Sequence, residues 1–164
     1  MTLRTSESDP LHIYTFTVPE GGKIGMTICP GKHAPSYSGP TWQRDMDRDL
    51  DDIKAWGASS IFTILTAAEL EAMAVTALQE RVAATGLAWE YLDILDGGIP
   101  TEAAVAVWQG ISPRCHSLLD KGEQLLIHCR GGNGRTGTLA TMLLIERGWK
   151  PDQALQDIRA VRRG

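Results

Sequence analysis

The stretch Leu125-Leu126-Ile127-His128-Cys129-Arg130-Gly131-Gly132-Asn133-Gly134-Arg135-Thr136-Gly137 runs an apolar segment straight into a glycine-rich turn, with a cysteine at the start of the turn and an arginine six positions later. Leu125 to His128 read as a buried strand, and Thr136, Leu139, Ala140, Leu143 and Leu144 take up helical spacing, so the turn joins a strand end to a helix start. That junction favours negative charge, because the unpaired N–H groups and the dipole of the helix both point into it. Gly131, Gly132 and Gly134 let the chain wrap closely enough to aim successive N–H groups inward as a nest for an anion. Arg135 can close the nest with a two-pronged fork on two phosphate oxygens. Arg130, Gly131, Gly132, Asn133, Gly134 and Arg135 thus form a cradle with the thiol of Cys129 at its base.

Working outward from this loop, strands and helices alternate. Ile13 to Val18 and Ile24 to Ile28, separated by Glu20-Gly21-Gly22, form a plausible hairpin. Pro30-Gly31, Pro35, Gly39 and Pro40 punctuate a loop, and from Asp45 a helix carries Met46, Leu50, Ile53 and Trp56 on one face until Gly57 ends it. Asp47, Arg48, Asp49, Asp51, Asp52 and Lys54 read as its solvated side. Ser60 to Thr66 suits a central strand, Ala67 to Ala84 one or two helices, and Leu87 to Leu92 the next strand. Thr101 caps a helix reaching about Leu119, with Ala104, Val107, Trp108, Ile111, Cys115 and Leu118 inward. Gly148 ends the helix after the anion loop, and Pro151 opens a last one to Arg162. The pattern predicts an α/β fold: one domain over residues 11–164, preceded by a loose polar segment at 1–10, with a central, mostly parallel, twisted sheet covered by helices on both faces.

Composition narrows the partners. The chain has 164 residues, 43% hydrophobic and 22% charged, and a net charge of −4, with no basic face to bind nucleic acid. No apolar run reaches the roughly 20 residues needed to span a bilayer, so no membrane insertion is expected. Cys29, Cys115 and Cys129 are too few for a disulfide scaffold, and their spacing makes no recognisable zinc site; no metal or other cofactor is expected, and a reducing, cytoplasmic setting suits a nucleophilic thiol. Oligomeric state is not encoded in any visible pattern.

Residues 128–137 fit His-Cys-x-x-Gly-x-x-Arg-[Ser/Thr]-Gly at every fixed position, and so the chain resembles the cysteine-dependent protein tyrosine phosphatase superfamily. Leu95-Asp96-Gly97-Gly98-Ile99-Pro100, together with Ile28-Cys29-Pro30-Gly31-Lys32, Trp56-Gly57-Ala58, and Ile61-Phe62 leading to Glu69-Leu70, resembles its kinase-associated phosphatase (cyclin-dependent kinase inhibitor 3) branch in the same order. The resemblance implies a protein-tyrosine-phosphatase-like fold and a metal-independent hydrolase of phosphotyrosine, extending to phosphoserine and phosphothreonine, in a phosphorylated protein or peptide. No equivalent is evident of the tyrosine-bearing loop that deepens strictly phosphotyrosine-specific pockets, which favours a shallower, dual-specificity site. The family also carries, past its last helix, a segment whose Gln positions water; the residues here end at Arg162-Arg163-Gly164, where no such group is evident.

In this reading Cys129 is the nucleophile, its thiolate form stabilised by the helix terminus, the nest and Arg135, and it forms a cysteinyl-phosphate intermediate. Arg135 and the nest supply positioning and charge stabilisation. The resemblance implies that the Thr136 hydroxyl bonds the sulfur and eases its departure. His128 points away from the mouth of the loop and shapes it, which is close to calling it a hydrogen-bonded core histidine. The general acid is expected at Asp96, after a strand and before Gly97-Gly98, with Asp93 in reserve; a turn residue before glycine would look the same. Lys32 and His33, read as exposed loop residues, flank the pocket or are merely solvated, and Cys29 is either buried packing or a resolving thiol. The five tryptophans read as packing. Two alternatives stay open: a phosphoinositide or inositol phosphate phosphatase, for which Arg130 speaks and Asn133 does not, and a catalytically silent phosphate-binding module.

Overall fold

Leu125, Leu126 and Ile127 are each fully buried, so the strand that leads into the glycine turn must be covered on both faces. The computed structural model, which describes residues 2–34, 39–95, 100–131 and 134–163, places it at the centre of the sheet. In chain order the elements are β1 (Leu3–Arg4), β2 (Tyr14–Thr17), β3 (Lys23–Thr27), β4 (His33–Ala34), β5 (Thr41–Gln43), α1 (Met46–Trp56), β6 (Ala58–Ile64), α2 (Ala67–Ala72), α3 (Leu78–Thr85), β7 (Ala88–Leu92), α4 (Glu102–Asp120), β8 (Gln124–His128), α5 (Gly134–Glu146) and α6 (Pro151–Arg163). The main sheet has the order β2-β3-β8-β6-β7, parallel except where β2 pairs antiparallel with β3. The α/β architecture expected from the alternation is thus the observed one.

Strand alternation divides the core. Leu125 and Ile127 join Ile24, Met26, Phe62 and Ile64 against α4, α5 and α6, whereas Leu126 and Ile61 face Leu50, Ile53, Leu78 and Val82 of α1 and α3. Each large apolar side chain buried in this way contributes about 1.5–3 kcal/mol. Local signals set the helix ends: the Asp45 carboxylate accepts from Arg48 N at 3.1 Å, the Thr101 hydroxyl from Ala104 N at 3.1 Å, and Gly57 adopts a φ of 107° to stop α1.

Three expectations need correction. The segment read as a loose start is tied in: Leu3 and Arg4 pair parallel with Thr41 and Trp42, and β4 completes a small sheet in the stretch read as a punctuated loop. Asp49, read as part of a solvated charge run, is fully buried, because four donors converge on its carboxylate. Val107 is 47% exposed: the buried stripe of α4 runs through Ala104, Trp108, Ile111, Ser112, Cys115 and Leu119, and at 100° per residue position 107 lies roughly 90° from its centre.

Candidate active site

β8 delivers Cys129 to the carboxyl end of the central strand, where it is 3% exposed and continues the α4–α6 face of the sheet. Its neighbour His128 points to the opposite face and is fully buried. His128 Nδ1 lies 3.2 Å from the Cys129 carbonyl, which can only accept, so Nδ1 carries the proton and Nε2 is the acceptor. The Thr63 hydroxyl therefore donates to Nε2 at 2.7 Å, and Trp89 Nε1 donates to Thr63 Oγ1 at 2.9 Å. A line of hydrogen bonds thus crosses three adjacent strands, from the edge strand β7 through β6 to the peptide of the cysteine. Burial pushes the His128 pKa down to about 4, with the Arg135 charge adding to the effect, so the imidazole is neutral at physiological pH.

Arg135 lies in the first turn of α5 and is 7% exposed. Glu69 holds its guanidinium in a fork, Nη1 to Oε1 at 2.6 Å and Nη2 to Oε2 at 2.8 Å, and Nη1 also donates to the Ile94 carbonyl at 2.8 Å. Glu69 is itself fixed by the start of α2: its Oε1 accepts from Thr66 N at 3.0 Å while its own N donates to Thr66 Oγ1 at 3.2 Å. The Arg135 hydrogen bonds hold the Glu69 carboxyl at about 2, well below the usual carboxylate range. The sequence carries this residue in the Ile61-Phe62…Glu69-Leu70 resemblance and in its Thr66-x-x-Glu69 capping signature, but neither announces an arginine 66 positions away.

Thr136 is fully buried, and its hydroxyl has no hydrogen-bond partner among the described residues, Cys129 Sγ included. Leaving such a group unpaired costs about 1–3 kcal/mol. A Cβ at Gly137 would meet the guanidinium end of Arg162 from α6, a flexible tip that would have to move aside. Arg130 is exposed, and its carbonyl accepts from Cys29 N at 3.3 Å, which ties the loop to the segment after β3. Gly131 and Gly134 are exposed at the turn; Gly132, Asn133 and Asp96 lie outside the described residues. Asp93 is exposed one residue past β7. Cys29 is fully buried, and desolvation drives its thiol pKa upward.

Lys32 departs from its reading as an exposed loop residue, being 8% exposed with its ammonium 5.2 Å from the centre of the Trp42 ring. His33 is exposed, and its Nε2–H donates to the Arg44 carbonyl at 3.0 Å. Asp49 organises this side of the site. Its Oδ2 accepts from Gly31 N at 2.9 Å and Arg44 Nε at 2.8 Å, and its Oδ1 accepts from Ser6 Oγ at 2.8 Å and Arg44 Nη2 at 3.0 Å. Gly31 has a φ of +72°, and a Cβ there would collide with Met46. Two cavities border the anion loop. One, about 390 Å³ and largely apolar, lies beside Gly134 and Arg135 among Ile94, Leu95 and Trp108. The other, about 270 Å³, opens at Gly131. Among the described residues no group of three or more His, Cys, Asp or Glu is placed to hold a metal ion, and no helix is long and apolar enough to cross a membrane.

Known proteins similar to this chain include cyclin-dependent kinase inhibitor 3 and protein tyrosine phosphatases of type IVA. Cyclin-dependent kinase inhibitor 3 of Homo sapiens is 30% identical over 161 residues, covering 95% of this chain and 72% of that protein. The Mus musculus protein of the same name is 30% identical over 121 residues, 73% of this chain, which spans 56% of its length. The crystal structure of kinase associated phosphatase with its catalytic-site cysteine replaced by serine superposes with a TM-score of 0.79 at 26% identity, covering 93% of this chain and 84% of that one. The α/β sheet, the Cys129–Arg135 loop at its carboxyl edge and a match over residues 43–163 agree: the chain belongs to the family of Swiss Army Knife protein DSP-PTPase phosphatase domains.

Proposed function

We propose that the protein is a metal-independent phosphatase that hydrolyses phosphotyrosine, and phosphoserine or phosphothreonine, in phosphorylated proteins or peptides through a cysteinyl-phosphate intermediate. One observation carries the reading most: Cys129 directly follows the central strand, while Arg135, six residues on, is fixed in place by Glu69 and the Ile94 carbonyl. A guanidinium has five N–H groups. Glu69 and Ile94 take the Nη1–Nη2 edge, and the Nε–Nη2 edge is the one assigned to two phosphate oxygens. The related phosphatase whose catalytic-site cysteine was replaced by serine supports Cys129 in the same role.

The Cys129 thiolate attacks phosphorus in line, forming the S–P bond as the ester P–O bond breaks. Asp96 gives its proton to the leaving oxygen. Water then attacks the intermediate and gives its proton to the Asp96 carboxylate; the O–P bond forms, the S–P bond breaks, and phosphate departs. Thr136, whose buried hydroxyl has no partner among the described residues, donates to the returning thiolate. His128 takes no proton; through Nδ1–H it holds the Cys129 carbonyl and hence the direction of the loop's first peptide.

The test is turnover of an aryl phosphate and of a phosphotyrosyl peptide with a chelator present. Wild type is expected to be active and vanadate-sensitive, and Cys129→Ser inactive while still binding phosphopeptide. Undiminished turnover by Cys129→Ser overturns the nucleophile assignment. Asp96→Asn should slow only substrates with poor leaving groups; equal rates on those would remove Asp96 from the acid role.

A further inference from the structure

The larger cavity beside the anion loop, about 390 Å³, is walled by α4, by α5 and by the residues that follow β7. An apolar cavity of about 150 Å³ holds a benzene ring, so this one has room for a large side chain. Its back wall is set in place: the Trp108 ring, itself buried, stacks on the fully buried Phe62 ring with centroids 6.0 Å apart. The polar groups on its walls are engaged within the protein. Trp108 Nε1 donates to Glu146 Oε2 at 3.0 Å, Thr138 Oγ1 donates to the Gly134 carbonyl at 3.0 Å, and the Ile94 carbonyl accepts from Arg135 at 2.8 Å. Among the described residues that line it, Arg135 is the one with a charge. The apolar lining also reaches solvent, since Leu95 is 64% and Val105 44% exposed. An apolar occupant would remove that surface from water.

Resting on the phosphatase reading above, the geometry points to a specificity subsite in this cavity, which receives a large apolar side chain flanking the phosphoresidue of a peptide substrate. Continuity with the cradle argues for that occupant. Gly134 and Arg135 belong both to the anion loop and to the wall of the cavity, so the two share a boundary. An extended peptide advances about 3.3 Å per residue and points alternate side chains the same way, which keeps the near neighbours of the phosphoresidue within reach. The chemistry of the walls selects among them. A lysine there would meet the Arg135 charge, a carboxylate would compete with the phosphate for it, and an amide would lose its hydrogen bonds to water. Leucine, methionine or phenylalanine meets none of these costs and gains burial against Trp108, Val105 and Met142.

The experiment uses a panel of phosphotyrosyl peptides with leucine or serine at each of the three positions on either side of the phosphoresidue. Wild type should show one position at which leucine raises kcat/KM about tenfold or more over serine, with a ratio that does not change with ionic strength. Val105→Asp, at the exposed edge of the cavity, should bring the ratio toward one without changing turnover of a small aryl phosphate, and Val105→Trp, which fills the space instead of charging it, should do the same. Binding of the peptides to Cys129→Ser gives the ratio independently of turnover, so a failure of the phosphatase reading is separable from a failure of the subsite. Equal affinity for leucine and serine at all six positions, or a preference that survives in both Val105 variants, overturns the subsite. Faster hydrolysis of a phosphate monoester bearing an acyl chain than of the best leucine peptide, with that advantage lost in Val105→Trp, overturns the peptide as its occupant.

Discussion

Arg44 meets Asp49, and Arg135 meets Glu69, each through two parallel N–H···O bonds, at 2.8 and 3.0 Å in the first pair and 2.6 and 2.8 Å in the second. The surroundings differ. Asp49 also receives Ser6 and the Gly31 peptide, and the side chains of the pair are 1% and 0% exposed. Among the described residues Glu69 receives, besides Arg135, only bonds from its own helix cap, and its side chain is 14% exposed. A saturated, sealed fork is a fastener, here joining the N-terminal segment, the Pro30–Gly31 turn and α1. A fork whose carboxylate still reaches solvent holds its arginine at the surface of the site, where a ligand can meet it. Similar local chemistry thus serves stability on one side of Cys129 and, in the proposed mechanism, catalysis on the other.

Breaking the sealed fork should have the largest effect. Asp49→Ala leaves a buried guanidinium without its anion and should cost about 3–5 kcal/mol, measured by urea unfolding. Glu69→Gln should invert the pattern, costing at most about 2 kcal/mol of stability but lowering kcat/KM by roughly 10- to 100-fold, because Arg135 loses its orientation. If both variants lose stability and activity in the same proportion, the contrast between the forks is mistaken.

The two forks are unequally legible in the sequence. Cys129, the glycines and Arg135 sit within ten residues on a strand–turn–helix, so local spacing exposes them. Glu69 is a capping residue by pattern, and only the fold brings β6 and its following helix beside α5. Asp49 is hidden differently: in Asp47-Arg48-Asp49-Leu50-Asp51-Asp52 it is one charge among many, and nothing local marks it as the one turned inward. Lys32 and Trp42 read as a loop residue and a packing residue for the same reason, since their meeting depends on the small sheet formed by β1, β5 and β4.

Acidity sharpens the comparison further. His128 is near 4 in the folded protein and 6.5 when unfolded, so between those values the unfolded chain binds the extra proton and stability falls as pH falls. From pH 7 to 5 the loss should be about 2 kcal/mol and should be absent in His128→Asn. Glu69, lowered from 4.5 to about 2, contributes stability that is present above 4.5 and lost only as pH falls below that value, so the two groups separate in a pH series of unfolding curves. The smallest effect is expected at the far end of the hydrogen-bond line: Trp89→Phe removes the donor to Thr63 and should cost about 1 kcal/mol, with a slight fall in kcat and KM unchanged.

The central claim is that Cys129 itself carries the phosphoryl group during turnover. Acid-quenching wild-type protein during reaction with a phosphotyrosyl peptide, followed by peptide mass analysis, tests it most directly. The account predicts one phosphoryl group on the peptide containing Cys129, and a larger fraction of it when Thr136→Ala slows breakdown of the intermediate. Turnover with no phosphoryl group on Cys129 at any quench time, or with the group on another residue, would contradict it.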